Sequence, residues 1–463
     1  MNSEFRRLPG VDKILSEERI KQLEDTYPHE LLVSVIRQHL EHERLAIVAG
    51  NPCPPLDKIV DSIFAEIGKL ENFSLRRVIN ATGVLLHTNM GRAPLSLETV
   101  AAMSSAAQGY SNIEFNLDSG TRGSRQTHIE PMLCQLTGAE AGLVVNNNAS
   151  AILLVLSALA KRKEVIVSRG EAIEIGDSFR IPDVMRQSGA KLVEVGTTNC
   201  TYITDYEQAI TDRTAALMRV HTSNFQITGF THSVSLQELV TLGRRHDLPV
   251  VDDLGSGCFL DTTAFGLDPE PMVQQSVTAG AGLVCFSGDK LVGGPQAGII
   301  VGEKALIDKL KRHPLARAVR IDKIRLAGLA ATLRHYLKGE AQSKIPVWAM
   351  LSTPLEDIEQ RAGKWANALK GMAQVIDGKS MIGGGSLPES TLPTKLVAIK
   401  GEHKGKNRNL APTLAQKLRS ADIPIIGRVS DDVLLLDPRS ILPEEDEIVL
   451  RELQNLTAAW KHS

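Results

Sequence analysis

The sequence predicts an α/β protein built on a largely parallel sheet, with a small helical unit before it and a smaller α/β unit after it. Three observations carry this expectation. Between residues 138 and 302, short apolar runs alternate with helix-patterned spans, as strands joined by crossover helices do. Polar clusters follow those runs, at the strand ends where open α/β sheets gather ligands. Residues 1–75 lack the alternation and repeat their apolar residues at helical spacing.

In chain order, residues 31–40 and 56–70 read as amphipathic helices, separated by Asn51-Pro-Cys-Pro-Pro55. This unit carries 13 acidic and nine basic side chains, so charge does not mark it as a nucleic-acid binder. Its His39-Leu-Glu-His-Glu cluster lacks the i,i+4 histidine pair of a helical metal site and reads as a solvated face. Strands are expected at 143–145, 164–167, 192–195, 215–220 and 248–251, with helices at 151–160 and 235–245. Two further apolar runs, 283–286 and 298–302, bracket a glycine-rich loop. After residue 325 a helix at 326–337, the glycine run 383–385 and apolar runs at 396–399 and 433–436 read as a smaller α/β domain. The expected domains are therefore 1–75, 76–325 and 326–463.

Composition bounds the function. The 463 residues are 43% hydrophobic and 23% charged, an ordinary globular balance. No apolar run approaches the roughly 18–20 residues of a membrane span. The N-terminus has no apolar signal core, so the chain is expected to stay in the cytoplasm. Five cysteines are scattered without a C-x-x-C pair and read as reduced thiols. A formal net charge of −2 gives no bulk attraction for a polyanion.

The chemistry concentrates in a few stretches. Ser287-Gly-Asp-Lys290 follows an apolar strand and precedes a glycine loop, which holds one amine on a rigid edge with little bulk near it. A Schiff-base lysine needs that setting, together with partial desolvation to lower its pKa. Asn146-Asn147-Asn148-Ala149-Ser150 follows a strand and opens a helix, so free N–H groups and the positive helix end converge on a spot suited to a phosphate monoester. It also reads as a plain helix cap. Asp253 ends a strand ahead of a glycine turn, where a carboxylate can pair with a protonated ring nitrogen. Adjacent strand residues face opposite ways, so either Asp252 or Asp253 serves, and Asp253 lies nearer the loop. Residues 76–94, with His87, Asn89 and Arg92, read as a site lip, and 118–125 as a glycine-rich loop bearing two arginines. Residues 304–325 are rich in cations, and a helix there would put Arg317 and Arg320 on one face toward a tetrahedral anion.

The order of amide turn, strand-end Asp and Ser-Gly-Asp-Lys is the pattern of the large, fold type I, pyridoxal-phosphate enzymes. The stretches at 80–93, 144–149, 168–171, 179–186, 195–199, 220–224, 253–257 and 286–298 resemble those of the bacterial selenocysteine synthases, the L-seryl-tRNA(Sec) selenium transferases. The resemblance is strong from Arg76 to Arg320 and looser toward the C-terminus.

It implies a large domain with a mostly parallel seven-stranded sheet and a small C-terminal α/β domain. Pyridoxal 5'-phosphate is the implied cofactor, bonded to Lys290, with Asp253 at its ring nitrogen. Asn146, Asn147, Asn148, Ala149, Ser150 and Ser287 are implied phosphate contacts, and Arg169 and Asn224 ring or O3' contacts. Lys290, once freed, is the implied base at Cα. Arg92, Arg317 and Arg320 are implied for selenophosphate, with Asp289 beside the lysine. The implied reaction converts seryl-tRNA(Sec) to selenocysteinyl-tRNA(Sec) through an aminoacrylyl intermediate, with the N-terminal unit docking tRNA. A dimer-based homo-oligomer, as a decameric ring, is also implied. Two other readings stay open: a pyridoxal-phosphate lyase acting on a small free amino acid or amino sugar, and a non-catalytic RNA-binding scaffold.

Overall fold

The computed structural model describes residues 2–71, 73–176, 179–369, 371–400 and 410–460. The basic stretch at 402–408 lies outside the described residues. The chain divides into two compact units, Met1–Arg77 and Val78–Ser463.

The first unit is helical. Its two long helices, His29–Val48 and Leu56–Glu71, are interrupted where four residues include three prolines. Each lays one apolar stripe inward, Leu32, Ile36 and Leu40 on the first and Ile59, Ile63 and Ile67 on the second, at i,i+4 spacing. Ile14 and Ile20 from two short helices close this core. His39 departs from the expected solvated face: its side chain is 12% exposed and lies 3.5 Å from both Glu43 and Glu66.

In the second unit, the central strands are numbered β1 (Ala141–Val145), β2 (Glu164–Ser168), β3 (Lys191–Val195), β4 (Thr214–Val220), β5 (Val250–Gly255), β6 (Leu283–Ser287) and β7 (Gly298–Gly302). They form one seven-stranded sheet in the order β1-β7-β6-β5-β4-β2-β3. All pairings are parallel except the two made by β7. Side chains alternate between two cores: Val284 and Phe286 face one, Leu283 and Cys285 the other. Both faces are covered by helices, which is why these strands read as unbroken apolar runs. The carboxyl ends of six parallel strands consequently open along one edge.

A four-stranded antiparallel sheet follows, dominated by the long hairpin Ala373–Gly383 and Ser386–Ile399. Trp365, Val397, Leu414, Leu436 and Val449 form its core. Ile79–Asn80, expected in the large domain, pairs with Ile425–Ile426 beside this second sheet. The expected boundary at residue 325 falls inside the helix Lys323–Leu337, which packs along Leu97–Gln108. Apolar spacing predicts this helix from residue 326; its first turn is set by the Asp322 cap, which accepts from the N–H groups of Ile324 and Arg325.

Candidate functional site

Lys290 sits beyond β6 in a turn packed against the sheet, only 4% exposed. Burial, first, and the neighbouring Arg92 push its pKa below the usual lysine value, while Asp289, Asp253 and Glu270 oppose them. Its Nζ lies 3.5 Å from the Gly385 carbonyl. Arg92, in the left-handed region at φ 63°, reaches Asp289 Oδ2 at 2.9 Å. The lip formed by residues 87–92 is thereby tied to the lysine turn.

The two aspartates separate as the strand pleat requires. Asp253 Oδ1 accepts from Asn148 Nδ2 at 2.9 Å and from the Gly255 N–H at 3.2 Å. Asp252 turns to the other face, fully buried, 3.7 Å from Arg219 Nε. Burial lifts the Asp253 pKa to about 6, against the lowering pull of Asn148 and Lys290.

The amide turn combines a cap with a site. Asn147 caps the helix Asn148–Leu159, its side chain accepting from the Ser150 N–H at 2.8 Å. Asn148 reaches across to Asp253 instead. Gly298 of β7 passes so close beneath the turn that a methyl group on it would collide with the Asn147 carbonyl. Ser287, the last residue of β6, is buried and pairs in register with Gly298.

The remaining expected residues are more scattered. Arg317 lies in the helix Pro314–Ala318, which ends before Arg320. Arg320 is extended and bridges to Val145, because the next amide along, that of Asn146, bonds the Val319 carbonyl at 2.9 Å. The shared helical face expected for Arg317 and Arg320 is therefore absent. Glu114 gathers Arg122, Arg125 and Arg320, at 3.3, 2.5 and 3.5 Å, so the arginines of the 118–125 loop are held by a carboxylate. Arg169 contacts Glu194 at 3.5 Å, and Asn224 Nδ2 donates to the Glu174 carbonyl at 2.8 Å.

Three site residues had not been singled out. His221 follows β4, its N–H donates to the Asp253 carbonyl at 2.9 Å, and burial drives its ring pKa down to about 4, with Arg219 and Lys290 adding to the effect. It remains a neutral ring at physiological pH. Glu171, after β2, accepts from the Val220 N–H at 2.9 Å, and burial raises its pKa to about 7. With Arg219 and His221 it lines a cavity of about 460 Å³ at the ends of β2, β3 and β4. The third, Glu270, is buried, and its Oε2 accepts from the Leu387 N–H at 3.4 Å. Only the strand-end position of His221 and Glu171 was a usable signal in sequence.

With this geometry established, comparison with known proteins is decisive. The family model for L-seryl-tRNA selenium transferase matches residues 78–442, and that for the selenocysteine synthase N terminus matches 5–44. The chain belongs to the L-seryl-tRNA selenium transferase family. It is 45% identical to the L-seryl-tRNA(Sec) selenium transferase of Geobacter sulfurreducens, over 98% of this chain and 99% of that one. It is 47% identical to that of Nitratidesulfovibrio vulgaris, over 95% and 96%. Among solved structures, D-glucosaminate-6-phosphate ammonia-lyase matches with a TM-score of 0.58 at 21% identity, covering 86% of this chain and 98% of that one. That likeness bears on the fold alone, which is fold type I.

Pyridoxal phosphate is the cofactor of this fold, and the residues present fit it. Among the described residues, Asn146 Oδ1, Asn148 Oδ1, His221 Nδ1 and Ser223 Oγ are buried without a hydrogen-bond partner. Buried polar groups left in this way are costly unless a ligand meets them. Together with the depressed pKa of Lys290 and the carboxylate of Asp253, they supply an amine, an anion, two amide oxygens that accept, and a hydroxyl and an imidazole nitrogen able to donate.

Proposed function

We propose that the protein is an L-seryl-tRNA(Sec) selenium transferase that makes selenocysteinyl-tRNA(Sec) with selenophosphate as selenium donor. The observation that carries this reading is a near-full-length family match around an intact Lys290, Asp253 and Asn148 constellation. The alternative, a lyase on a small free substrate, shares the fold but lacks this match.

In this reading Lys290 would bond the cofactor and, once freed, would serve as the base at the serine Cα, helped by burial that lowers its pKa. Asp253, fixed by Asn148 and the Gly255 N–H, holds the positive ring nitrogen. The turn at 146–150 and Ser287 hold the phosphate at a helix N-terminus. His221, neutral and joined through its backbone N–H to the Asp253 carbonyl, would stand beside the ring. Arg169 and Asn224 are secondary contacts. The cofactor supplies an electron sink for the charge left at Cα when the proton departs. Arg92 receives selenophosphate, with Asp289 orienting it through their 2.9 Å pair, and Arg317 and Arg320, which share no helical face, are secondary candidates.

The N-terminal unit docks the tRNA, and the remaining chain comprises a large catalytic and a small C-terminal domain. A homo-oligomer is supported by the exposed apolar residues Tyr110, Phe115 and Leu117, which line a cavity of about 770 Å³, and by Leu97 and Val100, exposed on the helix Leu97–Gln108. Among the described residues no helix is long and apolar enough to cross a membrane, and the cytoplasm, where charged tRNA is found, is the proposed location. The reading is tested by a mobility shift with seryl-tRNA(Sec) against seryl-tRNA(Ser), recording the cofactor spectrum of the same samples. Selective binding with a spectral shift supports it. A spectrum that answers only to small amino acids or amino sugars would replace it with the lyase.

A further inference from the structure

The hairpin of the second sheet ends inside the site. Gly383, Gly384 and Gly385 lie successively in the left-handed region, at φ 76°, 64° and 72°, a run that only glycine adopts without strain. Each is also pressed against a neighbour. A methyl group at Gly383 would stand 2.5 Å from Val84, and one at Gly384 would stand 2.8 Å from Leu86. At Gly385 it would lie 3.4 Å from Lys290 Nζ and 3.3 Å from Ser223 Oγ. The turn is anchored on both sides. Met381 and Ile382 carbonyls accept from the N–H groups of Leu85 and Leu86 at 2.9 and 2.8 Å. Beyond the turn, the Leu387 N–H donates to Glu270, and the Pro388 carbonyl accepts from Gln226.

This wall carries buried donors and no cation. Ser386 is 2% exposed and Ser223 1%, and among the described residues neither hydroxyl has a partner. From Met381 to Leu392 the only charged residue is Glu389. Glu270 adds a second carboxyl group, and the nearby cation Arg92 is held by Asp289. The turn stands 3.5 Å from Lys290 Nζ, so an amine that reaches the lysine is brought beside it. A neutral acyl carbonyl finds two hydroxyl donors there, whereas a free carboxylate finds no cation on the turn itself and loses its hydration.

We infer that the turn Gly383-Gly384-Gly385-Ser386 is the acyl-binding wall of the site, with Ser386 and Ser223 donating to the carbonyl of an esterified amino acid and so selecting seryl esters over free serine. This rests on the proposed function, which supplies the ester. The experiment titrates the cofactor-loaded protein with L-serine methyl ester and with L-serine, following the cofactor absorbance. Affinities are expressed per unprotonated amine. The ester is expected to bind about tenfold more tightly, and Ser386→Ala to weaken the ester about tenfold while leaving free serine unchanged. The thermal midpoint and cofactor band of the variant report its folding, and the wild-type comparison needs no variant. Equal binding of ester and acid, or an equal loss of both in Ser386→Ala, would overturn the inference. Turnover of seryl-tRNA(Sec) by wild-type protein tests the underlying reading separately. Turnover without ester preference overturns the wall alone.

Discussion

Asn148 donates its side-chain amide to Asp253 Oδ1 at 2.9 Å. The two residues follow or end strands β1 and β5, which have β7 and β6 between them. One hydrogen bond thus joins the start of the phosphate-end helix to the carboxylate proposed for the ring nitrogen, and fixes their spacing. Replacing Asn148 by Ala removes a donor to a buried carboxylate, at a cost of about 1–3 kcal/mol. Asn148→Asp sets a second carboxylate beside the first and is expected to be worse. Equilibrium dialysis of the cofactor is expected to rank wild type above Ala and Ala above Asp.

Asp253 also makes a pH prediction for the cofactor-free protein. Its pKa rises on folding from an ordinary 3.8 to about 6. Native protein therefore binds more protons across that interval, and the contribution to stability, full below 3.8, is lost as pH rises through 6. Asp253→Asn is expected to regain up to roughly 3 kcal/mol above that range and nothing near pH 4. His221 acts in the opposite sense: its pKa falls from 6.5 to about 4, so its contribution is present above 6.5 and is lost as pH falls. The comparison must accordingly be wild type against variant by urea unfolding at each pH. A constant difference across pH would contradict the burial of this carboxylate.

Much of this site was legible in sequence because parallel strands covered on both faces are continuous apolar runs. The residues just after each run, 146–150 after β1, Asp253 in β5 and Lys290 after β6, then mark the open edge of the sheet. The glycine turn at 383–385 was visible only as a loop, since its contact with Lys290 joins residues 95 apart in sequence. No periodicity encodes which hairpin folds back onto which strand end. Arg317 and Arg320 show the converse error. Their spacing of three suits a helix, but the chain leaves the helix at Ala318 to pair Val319 and Arg320 with the end of β1. Glu270 was hidden because burial, not residue type, makes a glutamate unusual, and Glu171 carried only its strand-end position as a signal.

Gly298 offers a packing test. Gly298→Ala inserts a methyl group against the Asn147 carbonyl, and such overpacking costs about 1–3 kcal/mol when the surroundings shift to relieve it. The surroundings here are the 146–150 turn itself. Weakened cofactor retention, measured by gel filtration, is therefore expected along with a lowered urea midpoint. A variant that loses stability yet retains cofactor as tightly would separate this glycine from the site.

The Arg92–Asp289 pair predicts a split in kinetics. Arg92→Ala removes the cation proposed for selenophosphate and leaves Asp289 unpaired, so the apparent KM for selenophosphate is expected to rise about tenfold or more. The cofactor band is expected to persist. If the variant instead lost the band while KM held, Arg92 would belong to the cofactor and not to the anion.

Deletion of residues 1–77, one of the two compact units, tests the docking role. The shortened chain is expected to keep its cofactor spectrum and lose selective retention of seryl-tRNA(Sec) on a filter. Unchanged tRNA selectivity would move recognition into residues 78–463.

The most direct test of the central claim follows selenium itself. Purified protein loaded with cofactor is incubated with seryl-tRNA(Sec) and selenophosphate bearing radioactive selenium, and the aminoacyl product is released and separated. Label in selenocysteine, absent when Lys290→Ala replaces the wild type, is the predicted result. Release of ammonia or free keto acid from a small amino acid or amino sugar, with no label in selenocysteine, would contradict it and leave the chain a lyase on the same fold.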